Sequence, residues 1–466
     1  MCESGRRFWA IELEGRSVRF RYGFVGGKAQ EKTRYLDSTR RAEREFGRRI
    51  RAKLALGYAE VDQPVPAPAG PAARNVEVER LLSSRTDADP AWAVYADWLH
   101  ARGDPRGELA NIQLLLTGAA PKPDRRRQLQ RRVTELLDGQ RRLLPEKLWK
   151  QLVGQRARRL PGKERRPGAL AREYFATRVS VRWNAGFIRS LRIASGQNHP
   201  YSVEELAAET LSHESARFLR ELTIGPGDHA FETYRNIPAI ISRQPRPALR
   251  KLHLVDFPRD DADVSWIIID DLNAIWRAAP NLEEIALHGG YLDLGDLDLP
   301  KARALTVWTS GLQADSLESL VAARWPHLEK LEILFGSRFK GAETEMSMLE
   351  PLLNDTPLPR LTHLGLLNSE FADEIAMSLP RAAIAAQIEH LDLSLSMLSD
   401  AGAHSLVRGR SHFPQLRSLD VSQSYLTASG ISALEAAFSS LETLETANQR
   451  ALRNEWSQPV VAIWER

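Results

Sequence analysis

The chain has 466 residues, with 64 Lys+Arg against 60 Asp+Glu and a single cysteine, Cys2. One cysteine excludes an internal disulfide framework and cysteine-built zinc motifs, and a reducing cytoplasm is expected. No apolar run approaches the ~20 residues that span a bilayer, and Met1 to Ala10 lacks the apolar core of a signal peptide, so a membrane-free chain of two or three domains is expected.

The charges are unevenly divided. Residues 1–62 carry 15 Lys/Arg against 9 Asp/Glu, residues 63–173 carry 22 against 13, and residues 174–466 carry 27 against 38. A basic N-terminal half joined to an acidic remainder points to an anionic partner for the basic half, or to mutual attraction of the two.

Residues 6–62 read as a small sheet followed by a helix. Phe8, Ala10, Ile11 and Leu13 precede a turn at Glu14-Gly15, and Val18, Phe20 and Tyr22 alternate with Ser17, Arg19 and Arg21. A turn at Val25-Gly26-Gly27 leads to Thr33–Leu36, and Asp37-Ser38 caps a helix with Ala42, Phe46, Ile50 and Leu54 on one face. Phe8-Trp9, Tyr22-Gly23-Phe24-Val25-Gly26, Gln30, the capped helix and Lys53-Leu54 before Gly57-Tyr58 resemble the WGR domain. The name motif Trp-Gly-Arg stands as Tyr22-Gly23-Phe24. In DNA-binding members, aromatic and basic residues contact strand ends or backbone. That resemblance makes Tyr22 a stacking candidate and Arg19, Arg21, Lys28, Lys32 and Arg34 phosphate candidates; a solvated sheet edge is the alternative.

Residues 63–73 form an extended Pro/Ala linker. A helical, basic segment is then expected over 74–173. Asp89-Pro90 opens a helix with Trp92, Tyr95, Ala96 and Leu99 inward, Gly103 ends it, and Asp104-Pro105 opens the next with Leu109, Ile112 and Leu116 inward. The phrases Tyr95-Ala96-Asp97-Trp98-Leu99 and Arg102-Gly103-Asp104-Pro105-Arg106-Gly107-Glu108 resemble the short bacterial repeat-companion domain, over about 76–116. Asp97 and His100 share a helix face; a bond from Asp97 to backbone, Arg102 or Arg106 is favoured over a ligand role. Arg125-Arg126-Arg127, Arg131-Arg132, Arg141-Arg142 and the cations from Lys147 to Arg166 suit phosphate backbone or a solvated face. Val179–Trp183 and Gly186-Phe187 are expected to cap the N-terminal end of the C-terminal region.

From about 187 to 446 the phrase apolar-x-x-apolar-x-apolar recurs. Its middle anchors are Leu191, Leu222, Leu252, Ile285, Leu305, Leu331, Leu364, Leu391, Leu419 and Leu444. Each phrase predicts a short strand, and segments such as Asp315–Ala323 and Ser429–Phe438 predict helices between them. The short step from Ile285 to Leu305 predicts a loop over Tyr291–Pro300. This pattern resembles the leucine-rich repeat, in its ribonuclease-inhibitor class. The resemblance implies an α/β solenoid with parallel strands inside and helices outside, over 174–446, and a C-terminal cap over 447–466.

Alternation exposes two rows on the expected concave face. One contains Glu332, Asp392 and Asp420; the next contains Val255, His288, Trp308, Leu334 and Leu367, of which Val255, Trp308, Leu334 and Leu367 form an apolar stripe expected to be exposed and to hold a protein partner, a loop such as Phe335 to Lys340 or the N-terminal domain folded over it being the alternative. His363, His390 and Asp392 are expected on neighbouring strands as paired polar residues. Neither a Gly-rich phosphate loop nor a nucleophile elbow occurs, and no catalytic residue, metal or cofactor is assigned. The expected function is a non-enzymatic adaptor that binds a protein through the solenoid. The alternative is a DNA- or RNA-associated protein that uses the basic half.

Overall fold

A computed structural model describes residues 2–4, 7–14, 17–24, 30–35, 46, 59–60, 74–117, 121–139, 143–157, 178–195, 200–227, 234–256 and 267–451. The expected turns at 15 and 25–27, most of the helix after Asp37, the linker at 63–73, Lys28, Arg141, Arg142, the cations from 158 to 166, and Trp456 and Trp464 lie outside the described residues. No helix among the described residues is long and apolar enough to cross a membrane.

The chain divides into two compact units. The first comprises Met1–Gly154, Trp183–Ile188 and His213–Ser215. It contains an antiparallel sheet of β1 (Cys2–Ser4), β2 (Arg7–Glu14), β3 (Ser17–Phe24), β4 (Gln30–Tyr35) and β5 (Ala59–Glu60), in the order β4-β3-β2-β1-β5. Val18 and Phe20 are buried and Arg19 is exposed, so the alternation read in the sequence survives on β3.

Five helices come next: α1 (Val76–Ser84), α2 (Ala91–His100), α3 (Pro105–Thr117), α4 (Pro123–Gly139) and α5 (Glu146–Ala157). Asn75 caps α1, its side chain accepting from the Val78 amide at 3.2 Å. Asp89 accepts from the Ala91 amide at 2.9 Å, and Gly103 leaves α2 at φ +67. Trp92, Tyr95, Ala96 and Leu99 are buried, as the spacing predicts. Leu109, Ile112, Leu129, Leu136 and Leu143 form one apolar cluster, with Trp183 packed against it. Gly107 lets α3 meet α2, because a Cβ there would collide with the His100 amide nitrogen.

The phrase from Arg102 to Glu108 builds a charged hub. The Arg106 guanidinium is buried, paired with Asp104 and, at 3.1 Å, with Glu214. Burial opposes its charge, but the bonds to Asp104 and the fields of Asp104 and Glu214 outweigh it and raise its pKa. Asp97 instead accepts from Asn111 at 3.0 Å, so neither Arg102 nor Arg106 is its partner, and the expectation for Asp97 is corrected. The fork of Asp104 sits two residues from Arg106, which aligns it better. Phe187 stacks on Tyr95 with ring centroids 6.0 Å apart, and the Gly186 amide donates to Gln113 at 2.8 Å.

The second unit comprises Gln155–Arg182, Arg189–Ser212 and Ala216–Arg466. The elements that fall wholly or partly in it are, in order, β6 (Ser180–Asn184), β7 (Phe187–Ile193), α6 (Val203–Ser212), β8 (Glu221–Ile224), α7 (Ile237–Ser242), β9 (Lys251–Leu254), β10 (Ile268–Ile269), α8 (Asn273–Ala278), β11 (Glu284–Gly289) and β12 (Tyr291–Leu292). Then come β13 (Ala304–Thr309), α9 (Ala314–Ala322), β14 (Lys330–Leu334), α10 (Met346–Asn354), β15 (His363–Leu367), α11 (Ala372–Ser378), β16 (His390–Asp392), α12 (Asp400–Arg408), β17 (Ser418–Asp420), α13 (Ala428–Ala437) and β18 (Thr443–Glu445). The sheet order is β18-β17-β16-β15-β14-β13-β11-β9-β8-β7-β6, and every pair from β7 to β18 is parallel.

The register is unbroken. Leu191, Leu222, Leu252, Ile285, Leu305, Leu331, Leu364, Leu391, Leu419 and Leu444 stand side by side, one per strand. All but Leu444 are buried, with apolar helix positions such as Leu349, Leu352 and Leu353, Ile375, and Leu406. The Ile285–Leu305 step holds no helix; β12 there pairs with β10 in parallel.

Consecutive helices are stitched together. The Asp373 carboxylate, on α11, accepts from the Ser399 amide at 2.8 Å, the Ser399 hydroxyl at 2.6 Å and the Gly402 amide at 3.2 Å. One repeat on, Asp400 accepts from the Thr427 amide at 2.9 Å and its hydroxyl at 2.6 Å. Burial works to raise the Asp400 pKa, but the bonds from Thr427 prevail and lower it. Both carboxylates therefore sit where helix amides lack partners and the dipole favours negative charge. At the C-terminal end, Gln449 donates to the Val421 carbonyl at 2.9 Å, and Arg450 donates to the carbonyls of Gln423 at 3.0 Å and Ser396 at 3.0 Å.

Candidate functional site

The strands bury the anchors on one face and present the residue after each anchor on the other. That row reads Arg192, Thr223, His253, Ala286, Thr306, Glu332, Gly365, Asp392, Asp420 and Glu445, half-buried or exposed except at Gly365. Its members are held in place. Arg192 grips Asp256 with two bonds of 2.6 and 2.8 Å. Glu332 accepts from Thr306 at 3.1 Å and pairs with Lys330 at 2.9 Å. Asp392 and Asp420 accept from the Ser394 and Ser422 amides, at 2.9 and 2.8 Å, and so turn the chain out of its strand. Glu332, Asp392 and Asp420 occupy the places expected of them.

The expected apolar stripe is corrected. Val255, Leu334 and Leu367 are 0%, 1% and 0% exposed, and His288 is buried. Leu334, Leu367 and Leu395 form a closed cluster with half-buried Trp308 packed against it. Two causes act: Val255 lies past the end of its strand, whereas Leu334, Leu367 and His288 lie inside theirs and are covered by neighbouring side chains. β9 ends at Leu254 and Val255 turns to φ +65; Asn368, Leu395, Gln423 and Asn448 turn likewise to positive φ four residues after their anchors. A side chain beyond a strand end, such as Val255, leaves the pleat, while Leu334 and Leu367 keep to it and are closed off by Leu395 and Trp308. His288 stacks flat on Trp308 at 4.5 Å and meets His253 edge-on at 4.8 Å. Burial lowers the His253 pKa, with Arg192 acting in the same direction and Asp256 opposing.

His363 and His390 do sit on neighbouring strands, their rings stacked at 4.0 Å. Burial, His390 and Lys330 lower the His363 pKa, against Glu389 and Glu332. Among the described residues no three His, Cys, Asp or Glu are grouped so that they could hold a metal ion.

A feature not anticipated from the sequence lies two residues before each anchor. There the chain carries Arg189, Arg220, Arg250, Glu283, Arg303, Glu329, Thr362, Glu389, Arg417 and Glu442, and each amide from Arg220 onward donates to the carbonyl of the preceding member. Arg250 pairs with Glu283 at 3.2 Å, Arg303 with Glu329 at 2.9 Å, and Arg417 with Glu389 at 3.3 Å. Aligning the phrases on their middle anchors would have shown this charge ladder and its single uncharged member, Thr362.

In the N-terminal sheet, the nucleic-acid candidates divide. Arg19 pairs with Thr33 and Arg21 with Glu31, whereas Phe20 pairs with Lys32 and Val18 with Arg34. Directly opposed positions share a sheet face, so positions 19 and 21 lie on one face and 32 and 34 on the other. Tyr22 pairs with Gln30.

Residues 2–65 match the WGR domain family, so the N-terminal sheet is a WGR domain. No curated protein matches the chain. Among solved structures, a Bacteroides fragilis protein is similar at 18% identity and a TM-score of 0.46, covering 99% of this chain and 97% of that one. An internalin from Listeria monocytogenes is similar at 13% identity and a TM-score of 0.27, covering 50% of this chain and 64% of that one.

Proposed function

We propose that the chain is a non-enzymatic recognition protein: a leucine-rich-repeat array whose outward strand face, from Thr306 to Glu445, holds a protein partner. The observation that carries this reading is the unbroken parallel register, which sets Thr306, Glu332, Asp392, Asp420 and Glu445 in one fixed row of unlike side chains. A preordered row costs little conformational entropy on binding, and the acidic later members suit a basic partner surface. The burial of Leu334 and Leu367 moves the centre of the reading from the apolar stripe to this polar row. Affinity capture with the wild type and an Asp392→Lys/Asp420→Lys variant tests it. Proteins held by the first and lost by the second are expected; a partner set unchanged by the variant would sink the reading.

A second reading is favoured by the WGR match and by exposed Arg19 on β3. In it the basic half binds DNA or RNA through Arg19, Arg21, Tyr22, Lys28, Lys32 and Arg34. Phosphate contacts would make that binding strongly salt-dependent. Nuclease treatment during the same capture separates the two readings, since proteins bridged by nucleic acid would be released.

A further inference from the structure

The charge ladder is broken at Thr362, and Thr362 lines a cleft. A short hydroxyl stands where other members carry a long charged side chain, and beside it lies a cleft of about 600 Å³. Its lining belongs to the starts of four neighbouring strands, β11, β13, β14 and β15, a span of about 14 Å at the usual strand spacing. Glu283, Glu284 and Glu329 supply its carboxylates; Arg303, Lys330 and Arg360 supply its cations, and His363 closes one side.

The charges are not equally engaged. Glu283 is neutralised by Arg250 at 3.2 Å, Glu284 by Lys251 at 2.6 Å, and Glu329 by Arg303 at 2.9 Å. Lys330 is engaged by Glu332 at 2.9 Å. Arg360 is exposed and, among the described residues, has no ion pair. Within the cleft every anion has its cation, and one cation has no anion. The one charge in the cleft without a counter-charge is therefore a cation, and a guanidinium can take an oxyanion in a two-bond fork.

We propose that this cleft takes one acidic side chain, a carboxylate or a phosphate, carried by an extended segment of a partner polypeptide, with Arg360 as its counter-ion. A long polyanion is disfavoured, because residues 174–466 carry 38 acidic against 27 basic side chains and would repel it. The proposal rests on the recognition reading and names the chemistry of one contact in it.

The test uses the full chain and short alanine-rich peptides bearing a photo-crosslinker and a central glutamate, phosphoserine or lysine, with labelled sites mapped by mass spectrometry. The glutamate or the phosphoserine peptide should label residues 329–332 and 360–363, and the stronger of the two identifies the source of the oxyanion. Arg360→Glu should cut that labelling about tenfold, the loss of one charge-assisted bond, while Arg360→Lys keeps most of it. Thr362→Arg should also abolish it by filling the cleft. Circular dichroism of each variant establishes that the fold is retained. Labelling of the cleft by the lysine peptide, labelling confined to the basic residues before 174, or labelling indifferent to Arg360→Glu would overturn the proposal. Cleft labelling in a chain that captures no protein would remove the recognition reading alone; protein capture without cleft labelling would remove the cleft alone.

Discussion

Replacing Asp373 by alanine should loosen α12 without touching it. Asp373 lies on α11, and its carboxylate receives the Ser399 amide, the Ser399 hydroxyl and the Gly402 amide at 2.8, 2.6 and 3.2 Å. Removing it leaves two amides at the start of α12 without an acceptor. Bonds to a charged acceptor contribute about 1.5–3 kcal/mol each when buried, and Asp373 is half-buried, so a total loss of about 3 kcal/mol is expected. The Ser399 side chain still accepts from the Ala401 amide, which limits the damage to the inter-repeat bonds. Because a repeat array opens locally, the assay is hydrogen exchange of the α12 amides under native conditions, not a global melt. An increase of about 100-fold at Gly402 corresponds to a loss of about 3 kcal/mol. Asp373→Asn should lose roughly half as much, about 1.5 kcal/mol, since it keeps an acceptor oxygen without the charge. Exchange within about threefold of wild type in Asp373→Ala would refute the stitch as a stabilising element, leaving it a mere proximity.

Gly430→Ala should release α13 in the same assay, because a Cβ there would collide with the Asp400 carboxylate oxygen; a cost of about 1–3 kcal/mol is expected. His213 should make the first unit acid-sensitive. Burial, reinforced by Arg106, lowers its pKa from 6.5 to about 4. The folded state thus binds a proton less readily than the unfolded one, so stability is full above about 6.5 and falls as pH drops towards 4, by about 3 kcal/mol in all. His213→Gln should flatten thermal stability across that window, and an unchanged pH profile would count against the buried neutral ring. Thr362→Arg should complete the charge ladder between Glu329 and Glu389 and add a few tenths of a kcal/mol, about 0.3–1, at low ionic strength. The gain should vanish in molar salt, read by urea denaturation at both ionic strengths.

The middle anchors of all ten phrases were legible because burial of a repeating strand leaves a period that no other constraint disturbs. Leu191 to Leu444 align as read, and the helix-free step after Ile285 is also present. Helices α2 and α3 were equally legible, since Gly103 and Asp104-Pro105 are local punctuation. What failed was the step from an outward position to an exposed one. Val255 looks like an outward residue by counting, but its positive φ turns it away, and nothing in a valine announces a left-handed backbone; Leu334 and Leu367 do follow the count and are covered by Leu395 and Trp308. The Asp373 and Asp400 stitches were hidden for a different reason. They join residues about a repeat apart, and only the stacking of helices makes them neighbours. The charge ladder is intermediate: visible once the phrases are aligned, invisible when they are read one by one.

The stitches also give the array a direction in time. Each carboxylate lies in the repeat before the helix it caps, so a ribosome makes the acceptor before the donors. Asp373 is in place when Ser399 and Gly402 emerge, and Asp400 when Thr427 does. Each nascent helix start meets a waiting counter-charge and need not stand uncapped until later sequence arrives. Cutting the chain after a repeat removes donors and leaves a solvated aspartate; deleting the repeat before it strands the amides of the next helix. Truncation from the two ends should therefore be unequal, with the C-terminal side the more forgiving.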